Sequence, residues 1–314
     1  MKQDLPLSFK YSMLEFSLGI LIVFGLLVNC ATKESNLRIS DKEHEAEMAE
    51  WEGTRNKALL AEDGWLNLIG LYWLNPGSNS MGAEAGAAVL LSDVKFPQEL
   101  GVFEWKENQI TFDAKVDGVL ISGKAVDGRE LVFDYENGIA PILEFQSLRW
   151  QVIKRADRVG VRLRDLDSEA VRNFKGVDRF PRDISWRKVG RFTPYEPHKQ
   201  IPLANVLGQT IPTPAIGTIS FEVSGSIFQL DVFEEGEELF LIFADESSGR
   251  STYGGGRYLY AERPDSDGRV ILDFNKSINP PCVFTAYATC PLPPKQNILG
   301  VTIEAGELAT YQTN

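Results

Sequence analysis

From Trp65 onward the apolar residues recur in short runs, many of them alternating, and the runs end at glycine, proline, asparagine or aspartate. A period of two puts successive side chains on opposite faces of a strand, whereas a helix needs apolar residues three and four apart. Val161 and Leu163 alternate with Arg162 and Arg164. Ile219, Phe221 and Val223 alternate with Ser220 and Glu222, turn at Ser224-Gly225-Ser226 and return through Phe228, Leu230 and Val232. Phe103 and Trp105 face Ile110 and Phe112 across Lys106–Gln109, the pattern of a hairpin. Leu239–Ala244 is continuously apolar, as in a strand covered on both faces, and it stops at Asp245. The expected fold is mainly β: two β-sandwich-like units preceded by an N-terminal amphipathic helix.

The helix is read from Ser40-Asp41-Lys42-Glu43, which has the Ser-x-x-Glu spacing of a capping box. It would carry Met48, Trp51 and Leu59 on one side and stop at Gly64. Upstream, Phe16–Val28 is apolar but shorter than the roughly 20 residues of a spanning helix. It suits the core of a signal peptide. Leu27, Val28 and Cys30 resemble the lipobox of bacterial lipoproteins, although Asn29 stands where a smaller residue is usual. That resemblance implies lipidation at Cys30, a membrane partner through that lipid, and a place in the bacterial cell envelope, on its periplasmic face or at the cell surface. The expected organisation is 1–29 signal peptide, 30–39 tether, 40–64 helix, 65–165 first β unit, 166–199 connection and 200–314 second β unit.

Composition narrows the function. The 314 residues include 32 Lys+Arg against 44 Asp+Glu, a net charge of −12, so no basic excess is available to displace counterions from a duplex. No nucleic-acid partner is expected. Three cysteines and two histidines leave little for a disulfide scaffold, a His-rich metal site or a Ser-His-Asp triad, and neither a metal nor a cofactor is expected. The first β unit weakly resembles a forkhead-associated sandwich. Those domains read phosphothreonine with an arginine near the position of Gly82, whereas Ala83-Glu84 follow here, so phosphopeptide binding is not carried over.

A stronger resemblance rests on several words in one order. They are Gly64-Trp65-Leu66, Gly70-Leu71, Arg162-x-Arg164-Asp165, Gly249 with Thr252-Tyr253, and Gly256-Arg257-Tyr258-Leu259. Leu272-Asp273-Phe274-Asn275, Asn279-Pro280-Pro281-Cys282, Cys290-Pro291-Leu292-Pro293-Pro294, Asn297 and Gly306-Glu307 follow. Together they resemble the domain of unknown function 1684 family over about residues 50–308. The family implies no activity.

The chemistry must therefore come from the residues. Asp245 ends an apolar strand, Arg257 begins another, and Asp273 and Asn275 are read as sharing one strand face. With Thr252 and Tyr253 they form a candidate polar cluster, either a structural network or a ligand pocket. Gly254-Gly255-Gly256 reads as a tight turn. Cys282 and Cys290 are a possible pair, as a disulfide or as two buried thiols. Two functions remain open. One is an envelope-tethered ligand-binding or assembly module with a small-molecule or protein partner. The other is a hydrolase using carboxylates among Asp245, Asp273, Glu304 and Glu307 with the neighbouring arginine.

Overall fold

The computed structural model describes residues 39–91, 95–155 and 157–312. Cys30 and the segment 1–29 expected to be a signal peptide lie outside the described residues, and among those residues no helix is long and apolar enough to cross a membrane. The chain divides into two units, one up to Met48 and one from Ala49 onward.

Helix α1 (Asp41–Leu60) opens with the reciprocal cap its sequence implies. Ser40 N donates to Glu43 Oε2 at 2.8 Å, and Glu43 N donates to Ser40 Oγ at 3.3 Å. Eleven strands follow: β1 (Leu68–Trp73), β2 (Gly77–Gly82), β3 (Val89–Leu90), β4 (Gly101–Lys106), β5 (Gln109–Ala114), β6 (Leu120–Ile121), β7 (Lys124–Ala125), β8 (Arg129–Asp134), β9 (Leu143–Phe145), β10 (Leu148–Arg155) and β11 (Arg158–Asp165). They make one sheet in the order β1-β11-β10-β9-β6-β7 and another in the order β3-β2-β4-β5-β8. The hairpin β4–β5 pairs Phe103 with Phe112 and Trp105 with Ile110. Phe112 of one sheet meets Trp150 of the other edge-on, centroids 5.7 Å apart, and Val161 and Leu163 close the same core. Burying each such side chain contributes about 1.5–3 kcal/mol.

The remaining elements are a short helix α2 (Glu169–Asn173) and the strands β12 (Gly176–Arg179), β13 (Arg187–Ala204), β14 (Thr210–Val223), β15 (Ser226–Glu235), β16 (Glu238–Phe243), β17 (Arg257–Ala261), β18 (Arg269–Asp273) and β19 (Glu307–Gln312). Six of them form a sheet ordered β17-β16-β15-β14-β13-β18, and β12 pairs with β19. The six-stranded sheet curls, so that Leu259 of β17 and Leu272 of β18, from its two edges, share one core. Leu239, Leu241 and Phe243 of β16 point into that core. Ile242 and Phe240 point the other way, onto Tyr258, Ala288 and Cys290. Both faces of this strand are covered, which is why its sequence shows no alternation.

Two sequence expectations change. The segment 166–199, read as a connection, contains α2, β12 and much of the 18-residue β13. Most β13 residues are exposed, so burial imposes no apolar period on them, and the pairing with β14 shifts register between Pro194 and Lys199 around Pro197. Second, Asn275 does not share a strand face with Asp273. The Asp273 side chain accepts the Asn275 N–H at 3.1 Å and ends β18 by capping the 3-10 turn Phe274–Lys276.

Candidate functional site

β16 and β17 run antiparallel with Phe243 opposite Arg257, which brings Asp245, two residues past the strand end, beside the guanidinium. Arg257 Nη2 donates to Asp245 Oδ1 at 3.1 Å and to Ile303 O at 3.1 Å, while Nη1 donates to Ala305 O. Asp245 Oδ2 accepts from Ile303 N at 2.7 Å and from Ser247 N at 3.3 Å. Ser247 Oγ donates to Oδ1 at 3.0 Å and shares a 2.8 Å hydrogen bond with Thr252 Oγ1. Both charged side chains are fully buried. Burial lowers the Arg257 pKa, and Asp245 opposes that shift. Gly256 has φ +85°, and a Cβ there would lie 2.5 Å from both Phe243 O and Pro293 Cγ, so the turn that delivers Arg257 needs glycine.

The other candidate residues lie in different surroundings. Asn275 Nδ2 donates to Asp273 Oδ1 at 2.8 Å and to Asp183 O at 2.9 Å, and its Oδ1 accepts from Asp183 N at 3.0 Å. This cluster fixes the chain entering β13. Tyr253 is half-buried with its ring against Gly255. Cys282 and Cys290 form a disulfide with Cα atoms 6.3 Å apart.

A second ionic cluster surrounds Glu307, which is fully buried. Arg55 Nε reaches its Oε1 at 3.0 Å, Arg179 Nη2 reaches the same oxygen at 2.8 Å, and Asn279 N donates to Oε2 at 2.6 Å. The Arg179 guanidinium covers the Trp51 ring at 4.9 Å, and that of Arg55 covers Phe284 at 5.5 Å. Glu307 is one of the acids named for a hydrolase from the sequence, but no local signal points to its partners, which lie 252 and 128 positions away.

A third constellation joins family words from across the chain. Arg162 and Arg164 project from one face of β11, with their Cζ atoms 5.6 and 5.9 Å from the centroid of the Trp65 ring. Asn67 Oδ1 accepts from Arg164 Nη1 at 2.6 Å, and Gly64 O accepts from the same nitrogen. Asn67 Nδ2 in turn donates to Ala61 O and Glu62 O, satisfying carbonyls just beyond α1. Trp65 also packs on the aromatic cluster that holds Tyr258, Tyr260 and the Cys282–Cys290 bridge.

The model of the family described as protein of unknown function (DUF1684) matches residues 172–308. Residues 172–308 belong to this family. It is also similar to an uncharacterized protein of Haloarcula marismortui solved by solution NMR, at 32% identity over 43% of this chain and 77% of that one, with a TM-score of 0.37. No curated protein matches. The matched span holds the Arg257 cluster together with Arg179, Asn279 and Glu307, while Trp51, Arg55, Trp65, Arg162 and Arg164 precede it.

Proposed function

We propose that the protein is a binding module tethered to the bacterial cell envelope, reaching the membrane through lipid on Cys30 and taking a small molecule or a protein as partner. The tether is supported by the short apolar run that ends at Cys30. Binding is favoured over hydrolysis by one observation, the occupation of the acids. Asp245 is saturated by Arg257, Ser247 and the Ile303 N–H; Glu307 is held by Arg55, Arg179 and the Asn279 N–H; Asp273 binds Asn275; Glu304 is exposed. A glycosidase-type mechanism sets two carboxylates about 5–9.5 Å apart across one bond, with different proton affinities. Asp245, Asp273 and Glu307 face cations and amides instead.

Two measurements test the reading. Cys30→Ser is expected to move the protein from the membrane to the soluble fraction, and a variant that stays membrane-bound argues against the lipid tether. Protein purified from its native membrane is expected to release a stoichiometric ligand on denaturation and to show no multiple turnover of glycoside or ester substrates. Turnover lost in Asp273→Asn or Glu304→Gln would establish the hydrolase instead.

A further inference from the structure

Three arginines shielded from solvent are matched by carboxylates: Arg257 by Asp245, and Arg55 and Arg179 by Glu307. Arg162 differs. It lies mid-strand in β11 between Leu71 of β1 and Gln151 of β10, on the face of the sheet away from the sandwich core. Its Nε is buried with no hydrogen-bond partner among the described residues. Its charged neighbours are cations, Arg155 and Arg164, and together with burial they bring its pKa down to about 10. It therefore remains a cation at neutral pH. The acids on this side are already engaged. Glu144 and Glu62 lie on Arg149, and Asp63 acts on Arg164.

Withdrawing a guanidinium even partly from water is unfavourable, and nearby like charges add to that cost. Among the described residues the Trp65 ring offsets part of it at Arg162, and no carboxylate lies within ion-pair distance. Arg164 is held in place by Gly64 O and Asn67 Oδ1, and both guanidiniums lie against the Trp65 ring. A guanidinium presents paired N–H donors that match the spacing of two oxygens on one anion. We propose that Arg162, backed by Arg155 and Arg164 beside Trp65, is the anion-recognition point of the binding module and takes an oxyanion of the ligand: a carboxylate, phosphate or sulfate group. This rests on the binding reading above and gives it a site and a ligand chemistry.

The test uses thermal unfolding and calorimetry with phosphate, sulfate and citrate, each titrated at constant ionic strength against chloride. A saturable rise in Tm is expected with at least one of them, and the anion giving the largest rise identifies carboxylate, phosphate or sulfate as the source. Arg162→Gln is expected to weaken that binding about tenfold or more, the loss of a charge-assisted hydrogen bond. The same variant without ligand is expected to unfold at the wild-type temperature or above it, because an uncompensated cation has been removed. Arg263→Gln, at a surface ion pair with Glu234, should leave the anion response unchanged. A wild type that responds to none of the three anions, an Arg162→Gln that responds as the wild type does, or one destabilised by several degrees without ligand would overturn the proposal. A native ligand still retained by Arg162→Gln would remove this site while leaving the binding reading. A wild type with neither native ligand nor anion response would end both.

Discussion

Arg257 and Asp245 are bound side chain to side chain at 3.1 Å with neither exposed to solvent. The pair sits where β16 ends and β17 begins, and through Ile303 and Ala305 it fixes the chain that leads to β19. Every oxygen of the carboxylate is occupied, so this is how a buried ion pair survives desolvation: each charge is met several times over.

Arg257→Ala is therefore expected to lower the unfolding free energy by about 3–5 kcal/mol, because Asp245 is left buried without its cation. Urea denaturation checks it. Near-wild-type stability would mean that the guanidinium serves a ligand and not the fold.

Glu307→Gln leaves Arg55 and Arg179 facing a neutral amide, at a cost of about 3 kcal/mol or more. The loss should be local as well as global. Amide hydrogen exchange in residues 49–60 is expected to accelerate more than in β4 and β5, since Arg55 is one of the anchors of α1. Uniform acceleration would count against the anchoring role.

Gly256→Ala combines a left-handed φ with a Cβ 2.5 Å from the Phe243 carbonyl oxygen. A loss of about 2 kcal/mol or more is expected from strain and displacement of the turn, read as a lower urea midpoint. An unchanged midpoint would show that the turn can shift without cost.

Asp265 accepts hydrogen bonds from the Arg269 and Asp267 N–H groups and from Arg269 Nε, and its pKa falls to about 2, chiefly through the Arg269 N–H. A carboxylate whose folded pKa lies below the unfolded value of about 3.9 stabilises the fold above that value, and the contribution is lost as pH falls toward the folded one. The stability gap between wild type and Asp265→Asn should stay constant above about pH 5 and close between about pH 4 and 2. A gap that widens toward acid would reverse the sign.

The Cys282–Cys290 bridge closes a loop of sequence separation 8. Without reductant, thiol labelling is expected to miss both cysteines, and reduction should expose both and lower stability by roughly 2–3 kcal/mol. Labelling of either one in the unreduced protein would contradict the bridge.

What the sequence reveals depends on whether the deciding physics is local. β16 is legible because both its faces are buried, and the Arg257–Asp245 contact follows from an acid ending an apolar run. The hairpin β14–β15 is legible because Phe221 pairs with Phe228 across a two-residue turn. β13 is hidden: Val189 is exposed, and Pro194, Pro197 and Pro202 lack the N–H that a strand is expected to donate. The isolation of Arg162 from acids is invisible for another reason. A sequence shows which charges exist but not which one the fold leaves unmatched.

The Arg55–Glu307 contact also sets an order of events. A chain made from its N-terminus delivers Arg55 252 residues before its carboxylate. Until Glu307 arrives, Arg55 lacks that counter-charge, while the first sandwich already holds all its strands. Docking of α1 through this clamp therefore reports that the chain has been made as far as Glu307, the first residue of β19, and interrupted synthesis leaves that anchor of the helix open.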